Sequence, residues 1–353
     1  MPTKSSNIQL ETSPLIIAGP CAAESEQQLL ETAGFLAQTS VKIFRAGIWK
    51  PRTNPNTFEG VGEIGLKWLN RVRREYGLKV ATEVATPKHV ELAQKYDIDV
   101  FWIGARTASD PFAVQALADA LKGESRPVWL KNPISPEIDL WCGSVERMLR
   151  ADLSHLGLIH RGFSTYRNEV YRNSPFWQIP LEMRRRYPSL PLLCDPSHMG
   201  GNKNLIGELS QQALNLGYDG LMIEAHIHPD QALSDSSQQL RPQQLAKILS
   251  KLVVRQSQIQ PNELEVLRHK IDELDETLLS MLAERMQLSR QIGQYKKTEN
   301  ITVFQNDRYG DVLQHYTLWA ERCGLSKEFA KQLFENIHAE SVRQQIEILK
   351  EGH

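Results

Sequence analysis

Eight short apolar runs, spaced regularly along the first 254 residues, limit the possible folds of this chain more than any other feature. An apolar run followed by an amphipathic helix is the βα unit of a parallel sheet, and eight such units in about 240 residues match a TIM (β/α)8 barrel. A doubly wound sheet is the alternative, but such sheets usually stop at about five to seven strands. The runs are residues 15–18, 41–44, 79–82, 100–103, 128–130, 158–160, 192–194 and 221–223. Between them, the clearest helical segments are residues 26–38, 64–76, 88–96, 112–121 and 205–216.

Every one of these runs is followed by an ionisable or metal-binding side chain. A barrel carries its chemistry at the C-terminal ends of its strands, so this position is the informative one. A charge after a single strand means little, but charges after all eight predict an active site at this face. In chain order the residues are Cys21, Arg45 with Lys50 and Arg52, Glu83, Arg106, Lys131, Arg161, Asp195 with His198, and Glu224.

Four of the residues at this face form a candidate metal site. Cys21, His198, Glu224 and Asp235 offer one thiolate, one imidazole and two carboxylates. This mixed set suits a divalent transition metal ion, and we expect Mn²⁺, with Co²⁺, Fe²⁺ or Zn²⁺ as alternatives. Two further histidines, at positions 226 and 228, are weaker candidates than His198.

Six basic side chains would surround the same C-terminal end of the barrel. A cleft with so many cations needs anionic ligands, and arginine binds phosphate and carboxylate groups with two parallel hydrogen bonds. We therefore expect a phosphorylated or carboxylated substrate. The six are Arg45, Lys50, Arg52, Arg106, Lys131 and Arg161.

Five short motifs stand out in the first 254 residues: Gly19-Pro20-Cys21, Lys50-Pro51-Arg52-Thr53, Gly104-Ala105-Arg106, Asp195-Pro196-Ser197-His198 and Leu233-Ser234-Asp235. Together they resemble the compact, type I-beta 3-deoxy-D-arabino-heptulosonate 7-phosphate (DAHP) synthases. The chain is similar also to 3-deoxy-octulosonate 8-phosphate synthases, which remain the alternative. The Lys-Pro-Arg-Thr sequence favours the first group, because the octulosonate enzymes carry Lys-Ala-Asn-Arg-Ser there.

The resemblance implies a metal-dependent condensation of phosphoenolpyruvate with erythrose 4-phosphate. It assigns Arg45, Arg106, Lys131 and Arg161 to phosphoenolpyruvate, with Lys131 also taken as catalytic and Glu83 nearby. Lys50, Pro51, Arg52 and Thr53 would bind the aldose, with Arg52 on its phosphate. Asp195 would act in the substrate site by orienting a lysine or a histidine.

The residues after 255 have a different pattern. Residues 256–261 lack apolar periodicity and end in proline, which indicates a linker between a barrel of residues 1–255 and a helical domain of residues 262–353. Apolar residues then alternate at spacings of four and three from Leu267 to Tyr295, which predicts one helix of about 35 residues and about 50 Å. Arg285 interrupts this stripe, and a charge there needs an anionic partner. Two more helices are expected, at residues 307–322 and 326–349.

This all-α, three-helix domain resembles the all-helical chorismate mutases over residues 262–350. The resemblance implies that chorismate is bound by Arg268, Arg285, Lys296, Arg308, Ser341 and Gln345, with Lys296 and Gln345 catalytic at the ether oxygen. Gln305 and Tyr309 stand where many relatives have Asp and Glu. A sensor of chorismate or prephenate without turnover is therefore the alternative. Arg268 and Lys296 would be about 42 Å apart on one helix, so a shared ligand requires a homodimer.

Composition excludes several other classes of function. The apolar runs fall short of the roughly 18 residues of a membrane span, and the N-terminus lacks the apolar core of a secretion signal. Four scattered cysteines and a net charge of −1 favour a cytoplasmic protein without nucleic-acid partners. The first run begins near residue 15, which leaves little room before it for a regulatory domain. We therefore expect prephenate or chorismate, bound to the helical domain, to inhibit the barrel.

Overall fold

A computed structural model describes residues 13–51, 56–166, 170–255, 261–303 and 306–350. Contacts divide the chain into two compact units, Met1–Ser257 and Gln258–His353, and each is described by itself. Most of the expected linker, residues 256–260, lies outside the described residues.

The first unit is a closed barrel of eight strands in sequential order, and every neighbouring pair is parallel. The predicted TIM barrel is confirmed. Closure occurs between the first and last strands, which pair from Leu15 with Gly220 to Gly19 with Glu224. The strands are β1 (Leu15–Gly19), β2 (Ile43–Arg45), β3 (Lys79–Glu83), β4 (Val100–Ile103), β5 (Val128–Lys131), β6 (Leu156–His160), β7 (Leu192–Cys194) and β8 (Gly220–Glu224).

Ten α-helices belong to the described part of this unit, and three single 3₁₀ turns accompany them at 203–205, 229–231 and 236–238. The helices that follow the strands pack their apolar faces on the outside of the barrel. They are α1 (Glu26–Leu36), α2 (Ile64–Tyr76), α3 (Pro87–Lys95), α4 (Ala105–Ala108), α5 (Pro111–Ala120), α6 (Ile138–Arg150), α7 (Gln178–Arg186), α8 (Pro196–Gly200), α9 (Ile206–Asn215) and α10 (Pro242–Leu249).

Side chains inside the barrel form a core of their own, separate from the one between strands and helices. Successive strand residues point to opposite faces, so each strand contributes to both cores. Two tryptophans fill much of the interior, and Gly157 makes room for one of them: a Cβ there would lie 2.3 Å from the Trp129 ring. The interior residues are Ile17, Ile43, Ala81, Val100, Trp102, Trp129, Ile159, Leu193 and Met222.

The described residues of the second unit form three helices, as predicted: α11 (Pro261–Thr298), α12 (Asn306–Arg322) and α13 (Lys327–Lys350). The first is 38 residues long. Its predicted apolar stripe is exposed within one chain, with Leu274 67% and Tyr295 63% accessible. Among the described helices, none is long and apolar enough to cross a membrane.

Candidate active site

A layer of charged side chains lies directly above the apolar interior of the barrel. Because strand side chains alternate, the residue two positions after each interior residue faces inward again. We take one interior residue from each strand and move two positions along the chain. The eight positions reached in this way hold two glycines, three cations and three carboxylates. The eight positions are Gly19, Arg45, Glu83, Gly104, Lys131, Arg161, Asp195 and Glu224.

The four predicted metal ligands come together beside this layer. One atom from each of Cys21, His198, Glu224 and Asp235 lies within 4.8 Å of the others. Cys21 follows β1, His198 lies on α8, Glu224 ends β8, and Asp235 occupies the next loop. Asp235 has a left-handed backbone (φ 50°), a conformation that costs a non-glycine residue energy and is frequent at functional sites.

The local sequence Asp195-Pro196-Ser197-His198 explains the orientation of the imidazole. Asp195 caps α8, since its Oδ1 accepts the His198 backbone N–H at 3.0 Å, and Pro196 opens the helix. The other oxygen, Oδ2, accepts hydrogen bonds from His198 Nδ1 at 2.8 Å and from Lys131 Nζ at 2.7 Å. His198 therefore carries its proton on Nδ1 and turns the lone pair of Nε2 to the cluster.

The protonation states at the cluster fit a cation. Burial lowers the pKa of His198, which favours the neutral ligand form. Burial and the nearby Glu224 raise the pKa of the Cys21 thiol to about 12, so without a cation the thiol keeps its proton. Burial also opposes ionisation of Asp235, but the charge and the hydrogen bond of Arg172 help to hold the pKa of this carboxyl well below its usual range. A bound divalent ion would supply the positive charge that a Cys21 thiolate needs.

The Glu224 carboxylate gives the clearest indication that the four-residue cluster binds a cation. Its Oε1 is fully buried and accepts no hydrogen bond within the described part of the chain. Arg45 Nη2 lies 3.3 Å from this oxygen, and His198 Nε2 lies 3.6 Å from it. A buried carboxylate oxygen without hydrogen bonds is costly unless it binds a cation. The donor set and this oxygen both fit a divalent metal ion.

A cleft of about 230 Å³ opens beside the ligands, and its walls carry many of the predicted substrate residues. Burial lowers the pKa of Arg161 to about 10, and the nearby Arg172 and Arg106 add to this effect. Crowded cations of this kind are stabilised by an anionic ligand. The charged lining residues are Lys50, Glu83, Arg106, Lys131, Arg161, Arg172, His198 and Asp235, and Pro51 lies among the others.

Arg45 has a different position from the one expected at the mouth. The predicted run ended at Phe44, whereas β2 ends at Arg45, whose side chain points inward because it lies two positions after the interior residue Ile43. Its guanidinium pairs with Glu224 and lies over the Trp102 ring, 4.8 Å from the centroid. It is 1% exposed and is absent from the described lining of the cleft. Arg52 and Thr53 lie outside the described residues.

Several polar residues of the site were missed by the sequence analysis. Arg172 donates to Asp235 Oδ1 at 2.8 Å and lines the cleft. Trp102 donates to Glu83 Oε2 at 3.1 Å, and Ser197 Oγ accepts the Glu224 backbone N–H at 2.9 Å. Ser197 stands inside a quoted motif and could have been found, whereas Arg172 lies in an irregular loop without periodicity.

In the helical unit, some predicted residues meet and others do not. Arg285 donates to Ser341 Oγ at 2.5 Å, and Gln345 Nε2 donates to Ser289 Oγ at 3.0 Å. Gln345 Oε1 is buried and accepts no hydrogen bond from any described residue. Lys296 lies about two turns beyond Ser289 on α11, and its Nζ donates to the Val303 carbonyl at 2.6 Å. Burial lowers its pKa.

Arg268 lies on α11 as well, but it is far from Arg285 and Lys296 along that helix, and its side chain is exposed. A shallow cavity of about 560 Å³ is lined by Lys296, by three residues of the exposed stripe (Leu288, Ile292 and Tyr295), and by Gln291 and Ile301. Gln305 and the side chains of Arg308 and Tyr309 lie outside the described residues.

Comparison with known proteins agrees with this division. The model of the DAHP synthetase I family matches residues 7–261, which is most of the chain. The chain belongs to this family. A second model, chorismate mutase type II, matches residues 267–346. The protein therefore combines a DAHP synthase domain with a chorismate mutase domain.

Individual relatives match the barrel. The phospho-2-dehydro-3-deoxyheptonate aldolase of Thermotoga maritima is 36% identical over 225 residues, which cover 64% of each protein. The chain thus spans less than two thirds of that relative's length. A 2-dehydro-3-deoxyphosphooctonate aldolase of Wolinella succinogenes is 26% identical and is covered to 98%. The crystal structure of the Thermotoga DAHP synthase superposes with a TM-score of 0.61 at 32% identity, covering 67% of both chains.

Proposed function

We propose that the barrel condenses phosphoenolpyruvate with erythrose 4-phosphate to DAHP and phosphate, and that the helical unit rearranges chorismate to prephenate. Family membership supports both activities. The observation that carries the first is the cluster of four ligand atoms within 4.8 Å, placed beside a cleft with five basic side chains. The absence of a disulfide among the four cysteines suits a reducing compartment such as the cytoplasm.

Cys21, His198, Glu224 and Asp235 would hold the metal, for which we propose Mn²⁺, with Co²⁺, Fe²⁺ or Zn²⁺ as alternatives. When bound, it would supply Lewis-acid polarisation of the aldehyde oxygen. Lys50 Nζ lies 3.1 Å from Cys21 Sγ, and its ammonium charge favours the thiolate form of this ligand. Asp195 holds His198 and Lys131 in place through one oxygen, so the ligand and the substrate-binding lysine share a single support.

The basic wall of the cleft would bind phosphoenolpyruvate. Arg106, Lys131, Arg161 and Arg172 can together neutralise its phosphate and carboxylate groups, and the low pKa of Arg161 means that an anion relieves repulsion there. Arg45 would act from beneath, because it fixes Glu224 rather than lining the cleft. Lys50 and Pro51, with Arg52 and Thr53 of the same motif, would bind the aldose.

A two-substrate assay tests this assignment. The purified chain is supplied with phosphoenolpyruvate and either erythrose 4-phosphate or arabinose 5-phosphate, before and after exhaustive chelation. We expect metal-dependent phosphate release with the erythrose substrate. A clear preference for arabinose 5-phosphate would identify the barrel as an octulosonate synthase instead, and full activity after chelation would contradict the metal assignment.

The helical unit would act as a homodimer. Within one chain α11 exposes an apolar stripe, including Leu267, Leu274 and Leu288, which a second copy of the helix could cover. Arg268 of one copy would then reach the ligand held by Arg285, Lys296, Ser341 and Gln345 of the other, with Arg308 completing the set. The reaction is unimolecular, so it needs a compact substrate conformer and stabilisation of charge at the ether oxygen, which we assign to Lys296 and Gln345.

A mutase assay on the full chain separates catalysis from sensing. Turnover of chorismate that disappears in Lys296→Ala supports an enzyme. Tight binding of chorismate or prephenate without turnover supports the sensor, the alternative to which Tyr309 and Gln305 point.

We also propose that prephenate or chorismate, bound to the helical unit, inhibits the barrel. The coupling would be worth about 1–3 kcal/mol and would act in both directions on binding. Prephenate should slow phosphate release by the full chain, Arg285→Ala should weaken this effect, and a chain ending at residue 255 should lack it. Equal inhibition of the truncated barrel would refute the proposal.

A further inference from the structure

Gln238 is a buried glutamine whose amide contacts two charged residues at the candidate metal site. It is 0% exposed and ends the short turn Ser236–Gln238 that follows Asp235. Its Nε2 donates to Glu224 Oε2 at 2.7 Å, and its Oε1 accepts from Arg172 Nη1, also at 2.7 Å. A buried amide needs such partners, and here both of them bear charge.

The charges of the two partners fix which way the amide points. A carboxylate only accepts hydrogen bonds and a guanidinium only donates them. The amide nitrogen must therefore face Glu224, and the amide oxygen must face Arg172. The reversed amide would oppose oxygen to oxygen and N–H to N–H, so the network permits one arrangement.

This arrangement divides the oxygens of both carboxylate ligands into two kinds. Gln238 donates its hydrogen bond to Oε2 of Glu224, whereas Oε1 of Glu224 lies 3.6 Å from His198 Nε2. Arg172 donates at 2.8 Å to Oδ1 of Asp235, and Oδ2 is left 3.2 Å from Cys21 Sγ and 4.0 Å from His198 Nε2. In each carboxylate one oxygen belongs to the network and the other faces the cluster.

We infer that Gln238 is a positioning residue for the metal site: together with Arg172 it selects the oxygen that Glu224 and Asp235 each present to the metal. This inference rests on the proposed metal-dependent function. The neighbouring Gln239, also 0% exposed, supports the same geometry from the backbone. Its Oε1 accepts the Cys21 N–H at 2.9 Å, and its Nε2 donates to the Ser234 carbonyl at 2.8 Å, so it links Cys21 to the residue before Asp235.

The test is the affinity of the full chain for Mn²⁺, measured by competition with a chelator on protein freed of metal. Gln238→Met keeps the size of the side chain and removes both hydrogen bonds. We expect Mn²⁺ affinity to fall by about 10–100-fold, the range seen when a residue that orients a metal ligand is lost. Gln238→Asn keeps an amide but is too short to reach both partners, and it should also bind Mn²⁺ more weakly; it is the decisive variant if Gln238→Met does not fold.

A double-mutant cycle with Arg172→Gln sharpens the test. Because both residues act through one network, their effects on Mn²⁺ affinity should be non-additive. Folding is followed separately by the unfolding temperature of the metal-free proteins, so loss of stability is not mistaken for loss of binding. Wild-type affinity in a folded Gln238 variant overturns the inference and leaves the proposed function standing. If the wild-type chain binds none of Mn²⁺, Co²⁺, Fe²⁺ and Zn²⁺ in the same competition, both the inference and the proposed metal-dependent function are overturned.

Discussion

The barrel and the helical unit assemble their polar residues in opposite ways. Cys21 and Asp235 are 214 residues apart in the chain, yet Cys21 Sγ and Asp235 Oδ2 lie 3.2 Å apart. Arg268 and Lys296 share one helix, yet about 42 Å separates them, since each of 28 residues adds about 1.5 Å. Strands that close into a barrel bring distant residues to one edge, whereas a long straight helix keeps nearby residues apart. A single chain can therefore bring together the residues of the first site, whereas the proposed shared use of Arg268 and Lys296 in the second requires two chains.

The largest expected effect concerns the barrel alone. Cys21→Ser should reduce DAHP formation by about 100-fold or more, because Lewis-acid assistance contributes several kcal/mol to such reactions. Chorismate rearrangement should stay unchanged, since that site lies in the other unit. Cys142→Ser, which alters a buried cysteine outside the site, is the matched control and should preserve both activities. Loss of the mutase reaction in Cys21→Ser would show that the two sites are not independent.

The next effect tests the need for two chains. Arg268→Ala and Lys296→Ala should each lower the mutase rate by about 100–1000-fold, the usual loss when a charge-stabilising donor is removed. After subunit exchange between the two variants, half of the dimers would be mixed, and each would contain one intact site. Activity should return to about one quarter of the wild-type rate. No recovery in a verified mixture would mean that one chain supplies the whole site.

A smaller effect is expected from the exposed stripe on α11. Leu274→Lys places a charge on the surface where we expect the second copy, and burial of a leucine from each copy is worth about 1.5 kcal/mol or more. Dimer affinity should fall by about 100-fold, so the mutase rate per chain should drop on dilution while the barrel keeps its activity. Glu276→Lys, on the opposite face of the same helix, is the control. Sedimentation at several concentrations provides the measurement, and a Leu274→Lys dimer as tight as the wild type would remove the case for this interface.

The smallest effect is a shift in pH dependence. Burial lowers the pKa of Lys296, so its ammonium group is present at low pH and is lost as the pH rises through a value below that of ordinary lysine. The mutase rate should therefore decline on the alkaline side earlier than an unperturbed lysine would allow. Lys296→Arg should move this decline to higher pH, because arginine keeps its charge. An unchanged alkaline limb in Lys296→Arg would assign the titration to another group.

The sequence predicted the parts of the molecule that follow a regular period. Eight apolar runs and a stripe at four-three spacing led to the barrel and the three helices, and motifs at the strand ends led to the four residues that meet at the candidate metal site. The bounds of β2 were not predicted: the strand spans Ile43–Arg45 rather than residues 41–44, and Arg45 pairs with Glu224 instead of lining the cleft. Strand ends depend on pairing with neighbours, which a single run does not encode.

Residues in irregular loops were beyond such reasoning. Arg172 and Gln238 act through hydrogen bonds to residues 63 and 14 positions away, and no local pattern marks either of them. Gln239 bonds to Cys21 across 218 positions. Hydrogen-bonding partners of this kind become visible only when the backbone positions are known, so supporting residues are found later than the ligands that they support.

The pairing of β8 with β1 has a consequence for how the site forms during folding. Cys21 follows the first strand, while His198, Glu224 and Asp235 accompany the last two, so the four ligands lie across the seam where the barrel closes. Contacts between the ends of a long segment form slowly, because the chain must give up much of its freedom before they are made. We therefore expect the candidate metal site to be complete only once β8 has paired with β1, so that a metal ion would not guide the earlier steps of folding. A divalent ion bound there would link the first strand of the closed barrel to the last two and slow its unfolding.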